Sequence, residues 1–248
     1  FLSGVFGTAL AGGVATTIST FFTATELDAV LQASGCSVLL VERNVLKKDF
    51  AAMLQELEPQ ISTTTPGELA STRYPFLRYV AVVDSDTSVG MIEGWQTFLT
   101  RGEKIAPALV DAAAASVMPS DPGTLFFSSG STGKAKGILN SHRGVCLQLW
   151  RWKGWYDIQE PPRTWSANGF FFSGNFCMAF GGTLTAGGSL LLQRYFDAEA
   201  ALSLMEQEQA TMALAWPHQW AQLEAAPNYL DVDLSPMHYV GKDTQFAQ

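Results

Sequence analysis

The chain has 248 residues, of which 47% are hydrophobic and 15% charged. This suits one large folded domain or two small ones and excludes a disordered chain. A formal net charge of −8 argues against a general nucleic-acid binder, which needs a basic face to release counterions from phosphate, but allows one anionic ligand held by local donors.

Residues 1–22, FLSGVFGTALAGGVATTISTFF, carry no charge. They are long enough for a membrane span, yet rich in Gly, Ser and Thr, and no basic residue precedes them as a signal peptide or anchor requires. The expectation is no membrane span but a buried helix ending at Gly12 and Gly13, then a strand. The chain opens on Phe1 rather than Met, which suggests a piece of something longer.

Thr25 followed by Asp28 predicts a helix N-terminus, and Gly35 its stop. CSVLLVE (36–42) reads as a buried strand. Phe50, Met53, Leu54 and Leu57 recur at helical spacing up to Pro59. Residues 62–73 resemble a short linker. YVAVV (79–83) is another buried strand. An alanine-rich helical run covers 106–118, the turn PSDPG follows, and TLFF (124–127) is a short strand.

Beyond it, SHRGVCLQLW (141–150) predicts a helix capped by Ser141, and 173–182 another. SLLLQ (189–193) is a strand after Gly187 and Gly188. Asp197 caps a helix to about Gln209, TMALAW (211–216) is a strand, Pro217 opens a helix, and MHYVG (237–241) is a last strand. Strands alternating with helices imply layered α/β architecture with mostly parallel sheets.

The cysteines, Cys36, Cys146 and Cys177, are three, widely spaced and without a CxxC pair. That predicts neither a disulfide framework nor a zinc site, and places the protein in a reducing cytoplasm. His142, His218 and His238 show no metal-ligand spacing.

Between TLFF and GILNSH runs the stretch Ser128-Ser129-Gly130-Ser131-Thr132-Gly133-Lys134-Ala135-Lys136-Gly137. Glycines allow positive φ and close approach to a ligand, successive N–H groups can nest phosphate oxygens, hydroxyls add donors, and lysine adds charge. A plain linker would not be framed by two apolar segments. The G-x-x-x-x-G-K-[ST] nucleotidase loop fails, with Ser128 at its first glycine and Ala135 after Lys134. The G-x-G-x-x-G dinucleotide fingerprint fails as well, since Gly130 has no glycine two positions before it.

The stretch resembles the T/S-S-G-S/T-T-G-x-P-K-G phosphate loop of adenylate-forming enzymes, the superfamily of acyl-CoA synthetases, peptide-synthetase adenylation domains and luciferases. Ala135 departs from the usual proline and leaves the donors in place. Residues 7–42 and 187–217 resemble segments before and after that loop. The resemblance implies a layered α/β/α sandwich, a fragment of the acyl-CoA synthetase-like N-terminal domain over residues 1–248. The family's Y-G-x-T-E motif, its ribose-binding Asp and its C-terminal lid domain with the adenylation lysine are not found in this sequence.

The resemblance further implies that ATP and Mg2+ activate a carboxylic acid to acyl-AMP, and that the acyl group passes to coenzyme A. Loading of a carrier protein and a non-catalytic scaffold are the alternatives. Ser128, Ser129, Gly130, Ser131, Thr132, Gly133, Lys134 and Lys136 would bind the ATP phosphates, while no catalytic residue and no metal ligand is assigned. The aromatic stretch 163–180 aligns with the family's P-x-F-H-x-x-G segment, with Phe172 at the histidine. Phe172, Gly174 and Trp216 are candidates for an acyl pocket or gate, with ordinary core packing as the rival reading. Phe for His, and no acidic residue over 163–180, point to a hydrophobic acid rather than an amino acid. Gly241 and Lys242 fall at the family's adenine-side turn, where a surface turn is an equal reading. The partner expected is a small carboxylic acid, with no nucleic acid and homo-oligomer formation left open.

Overall fold

The chain divides between His142 and Arg143 into two units, residues 1–142 and 143–248. A computed structural model describes residues 1–128 and 135–239. The architecture is mixed α/β with mostly parallel sheets, as the alternation of elements predicts.

The first unit holds a parallel sheet in which Tyr79–Val82 lies between Val38–Val41 and Ile92–Gly94. One face of this sheet packs on helices Ala24–Ser34 and Phe50–Leu57. Leu27, Leu31, Leu54, Ile61, Leu77 and Val80 form the core there, each at most 3% exposed. Truncating a residue such as Leu54 leaves a cavity and costs about 2–5 kcal/mol. Val38–Val41 is not wholly buried as expected: Leu39 points into the core while Val38 and Leu40 remain exposed. A period-two strand buries both faces only where both are covered.

Helix Ala24–Ser34 starts earlier than predicted. Thr23 is its cap, with its Oγ1 accepting the Glu26 N–H and the Glu26 carboxylate accepting the Thr23 N–H at 2.8 Å. Thr25 is inside the helix. Asp28, which plays no part in the cap, instead accepts from Arg73 Nη2 at 2.7 Å, from Arg73 Nε at 2.8 Å and from the Tyr74 hydroxyl at 2.8 Å. Gly35 ends the helix in the left-handed region, φ 58°, as its position predicts.

Residues 62–73 are not a linker. Leu69 and Ser71 are buried, and Ser71 donates to the buried Glu58 while accepting the Arg73 and Tyr74 N–H groups at 3.0 Å. Short hydroxyl side chains that bond to backbone read as a loop by composition, yet here they satisfy a buried turn. Helix Leu2–Leu10 follows the expected position but has no buried residue. Its expected burial is overturned. Only part of its surface meets the helix Pro107–Ser116, so Phe1, Phe6 and Leu10 stay exposed.

A second sheet of this unit orders Ala15–Thr16, Pro122–Ser128 and Lys136–Ser141. The first pair is parallel and the second is an antiparallel hairpin. Ser141 belongs to that hairpin rather than capping a helix, and the next helix is His142–Trp155.

The second unit is built on a parallel sheet with Arg163–Ser166 in the centre, Ser189–Leu191 on one side and Met212–Leu214 on the other. Tyr239 adds a single parallel bridge beside Met212. Of the expected strand 237–241, Met237 and His238 form no strand, and 240–241 fall outside the described residues. Helix Ala198–Gln207 is capped by Asp197, whose Oδ1 accepts the Ala200 N–H at 2.9 Å, and Pro217 opens helix Pro217–Glu224; both match expectation. Trp165, Leu202, Met205 and Leu223 are fully buried between these helices and the sheet.

The predicted helix over 173–182 is helical throughout, but Phe176–Gly181 takes π-helical turns between Ser173–Asn175 and Gly182–Thr185. Thr183 Oγ1 is buried between the Ala179 carbonyl, at 2.5 Å, and Thr164 Oγ1, at 2.6 Å. Among the described residues no helix is long and apolar enough to cross a membrane.

Candidate functional site

The hairpin of the first unit brings the ends of the glycine- and hydroxyl-rich run together. Ser128 and Lys136 are register partners at its loop end, and both are exposed. An apolar strand, Pro122–Ser128, supplies the rigid side. Thr124 and Phe126 are buried in it, so the strand is anchored while its end projects. Two donors at one hairpin mouth suit an anion. Ser129, Gly130, Ser131, Thr132, Gly133 and Lys134 lie outside the described residues, as do Gly241 and Lys242.

His142, close to this hairpin, packs as a structural group. A Cβ on Gly123 would lie 2.9 Å from its Nδ1, so the missing side chain at Gly123 makes room for the imidazole.

The aromatic candidates belong to the second unit, at the C-terminal end of its sheet. Ser166 is in register with Leu214 on the neighbouring strand, so the segments 167–172 and 215–216 leave the sheet side by side. Phe172 is 44% and Trp216 55% exposed. Phe171 and Phe172 form a tilted ring pair with centroids 4.5 Å apart. By contrast Phe176 and Phe180 are buried against each other at 4.8 Å. The aromatic run thus divides: Phe176 and Phe180 are core packing, Phe170 and Phe171 are half-buried with Phe170 against Phe180, and Phe172 is presented to the surface. Gly174 has nothing within 4 Å of where a Cβ would stand, so no steric need for glycine exists there.

Two side chains that carry no motif fix these segments. Asn175, 9% exposed, donates to the Asn168 carbonyl at 2.7 Å and accepts the Ser166 hydroxyl at 3.0 Å. Gln219 accepts the Trp216 N–H at 2.8 Å and donates to the Ala167 carbonyl at 3.4 Å. The sequence signal for Gln219 is its place three residues after Trp216, where a Gln reaches back to the first N–H of a helix. Asn175 has no local signal, because its partners lie on another element.

Burial pushes the thiols of Cys36 and Cys177 up from their ordinary pKa, which disfavours thiolate at neutral pH and nucleophilic roles for them. Among the described residues no three His, Cys, Asp or Glu side chains converge as a metal site, so no magnesium ligand is assigned from them. A shallow pocket of the first unit, lined by Leu31, Cys36, Tyr74 and Phe76 among others, contains none of the candidate residues.

Comparison with known proteins gives a consistent picture. The family model described as AMP-binding enzyme matches residues 1–244. A methyl-dioxo-octahydro-indenyl propanoyl:CoA ligase of Mycobacterium tuberculosis is 28% identical over 229 residues, covering 92% of this chain and 41% of the relative. The chain therefore spans about two fifths of the length of such curated relatives. The crystal structure of the anthranilate CoA ligase AuaEII in complex with anthranoyl-AMP superposes with a TM-score of 0.73 at 20% identity, over 92% of this chain and 40% of that one. The N-terminal domain of FACL13 from Mycobacterium tuberculosis superposes with a TM-score of 0.69 at 19% identity, over 95% and 51%.

Proposed function

From a chain that belongs to the AMP-binding enzyme family, and is related to acyl-CoA ligases over most of its length, we propose the phosphate-binding and acyl-binding part of an acid–thiol ligase. The reaction joins a hydrophobic carboxylic acid to AMP, releasing pyrophosphate, and then transfers the acyl group to coenzyme A. The observation that carries this reading is the hairpin of residues 122–141. Its two strands end, toward the connecting loop, at the exposed register partners Ser128 and Lys136, which flank a run of hydroxyl, glycine and lysine residues in the sequence.

In this reading the carboxylate attacks the α-phosphorus of ATP and pyrophosphate leaves. The protein's part is positioning and neutralisation of charge. Ser128, Ser129, Ser131 and Thr132 donate to the phosphate oxygens, Gly130 and Gly133 shape the loop, and Lys136, with Lys134, offsets charge on the leaving pyrophosphate. Magnesium would supply further neutralisation of the phosphate charge, with no residue of this chain assigned to hold it. Phe172, Gly174 and Trp216 border the acyl group, and Gly241 and Lys242 lie on the adenine side. The exposed rings of Phe172 and Trp216, with no charged residue over 167–182, support an apolar acyl group.

The sequence lacks Y-G-x-T-E and the family's adenylation lysine, so we further propose that residues 1–248 are a partial adenylation domain that does not complete the reaction alone. The test is ATP–pyrophosphate exchange with a panel of hydrophobic acids. Acid-dependent exchange is expected from a polypeptide that joins this segment to those motifs, and no acyl-CoA from residues 1–248 alone. Exchange that ignores the acid, or turnover by the 248 residues alone, contradicts the respective part of the proposal.

A further inference from the structure

Two lips border the C-terminal end of the second unit's sheet, and each presents an aromatic face. From the central strand Arg163–Ser166 the chain moves first to Ser189–Leu191 on one side and then to Met212–Leu214 on the other. The crevice between Arg163–Ser166 and Met212–Leu214 is therefore a topological switch point, where open α/β sheets take ligands beyond the strand ends. One lip is 167–172, ending in the Phe171–Phe172 ring pair. The other is 215–216, ending in the Trp216 indole.

Single exposed aromatics need no explanation. These are unusual in being held. Gln219 joins the two lips through the Trp216 N–H and the Ala167 carbonyl, and Asn175 fastens Ser166 and Asn168 beneath the first lip. Backbone anchored in this way limits the positions open to the rings that follow. A preorganised ring face favours another ring. Stacking and edge contacts add to what area burial supplies, and a rigid acyl group loses fewer rotors on binding than an alkyl chain.

We infer that this crevice takes a carboxylic acid whose acyl group carries a flat ring, set against Phe172 and Trp216, in preference to a straight-chain acid. The inference rests on the reading of this end of the sheet as the acyl site.

Calorimetric titration of the 248-residue chain with cinnamate and with nonanoate tests it. The two acids have the same number of carbons, and the saturated chain is the more hydrophobic, so apolar area alone favours nonanoate. We expect cinnamate to bind about three- to tenfold more tightly. Phe172→Leu and Trp216→Leu, which keep apolar bulk without a ring face, should bring the two acids to near parity, whereas Phe172→Tyr should keep the preference. Both positions are exposed, and far-UV circular dichroism checks that the variants fold. Equal or tighter binding of nonanoate by the unsubstituted chain, or a cinnamate preference that survives both leucine variants, overturns the inference while leaving the acyl-site reading intact. Binding of neither acid overturns the acyl-site reading, and the inference with it.

Discussion

The Asn175 carboxamide holds the Asn168 carbonyl at 2.7 Å, tying the start of the helical segment to the loop that leaves the central strand. The same side chain takes the Ser166 hydroxyl, so one buried group satisfies two partners. Asn175→Leu leaves both without it. A buried polar group stripped of its partner costs about 1–3 kcal/mol. Urea denaturation should show a loss of that size, and a midpoint unchanged from the parent would mean that water replaces the amide at no cost.

Gly181 makes a different kind of demand. A Cβ there would lie 2.5 Å from Leu149 Cδ2 and 2.8 Å from its Cα, because helix His142–Trp155 runs against the π-helical turns. The side-chain carbon could swing aside, but the backbone carbon cannot. Gly181→Ala should therefore destabilise by about 1–3 kcal/mol through overpacking, in spite of alanine's better helix propensity. Gly174→Ala, where space is open, is the control and should be neutral or slightly stabilising in thermal unfolding.

Asp28 gives the first unit a dependence on pH. The Arg73 guanidinium, together with Gln32 and Tyr74, holds its carboxyl well below the ordinary carboxylate range. A depressed folded pKa means that the stabilisation is complete above the unfolded value and disappears as pH falls toward the folded one. Burial and the bond to Asp28 push the Tyr74 hydroxyl in the opposite direction, above the usual tyrosine range. That contribution is complete below the unfolded tyrosine value and is lost as pH rises past it. Denaturation midpoints of the parent and Asp28→Asn should differ most between these limits and converge in acid. A difference that persists undiminished at low pH would remove Asp28 ionisation as the cause.

These elements are not equally legible in the sequence. Helices Ala198–Gln207 and Pro217–Glu224 announce themselves through Asp197 and Pro217, since caps act within a turn. The start of helix Ala24–Ser34 is easily misplaced because two threonines compete. Only Thr23 has Glu26 at the reciprocal distance, and Asp28, which reads as part of the cap, instead serves Arg73 and Tyr74, far along the chain. The central strand Arg163–Ser166 is hidden for a similar reason: it is short, polar at both ends, and defined by partners at 189–191 and 212–214. Of the candidate site, the motif is readable because its residue types act through local backbone. The division of the aromatic run into buried Phe176 and Phe180 and exposed Phe172 is not, because it depends on which face the helical segment turns to the sheet.

The last expectation concerns Lys136, the register partner of Ser128 at the hairpin mouth. If this pair borders the ATP phosphates, the lysine stabilises the charge that grows on pyrophosphate as it leaves. Such a group acts mainly in the transition state, so its loss should lower the rate more than the affinity for ATP. In a ligase that contains this segment, Lys136→Ala should slow ATP–pyrophosphate exchange by about 10- to 1,000-fold, the range for removal of one electrostatic donor. Lys136→Arg keeps the charge on a different geometry and should recover part of the rate. Lys136 is exposed on the edge strand, so the fold should tolerate both changes, and an unchanged melting temperature would separate chemistry from stability. Exchange at the parent rate in Lys136→Ala would place the lysine away from the phosphates and leave the loop's hydroxyl and backbone donors to carry the charge.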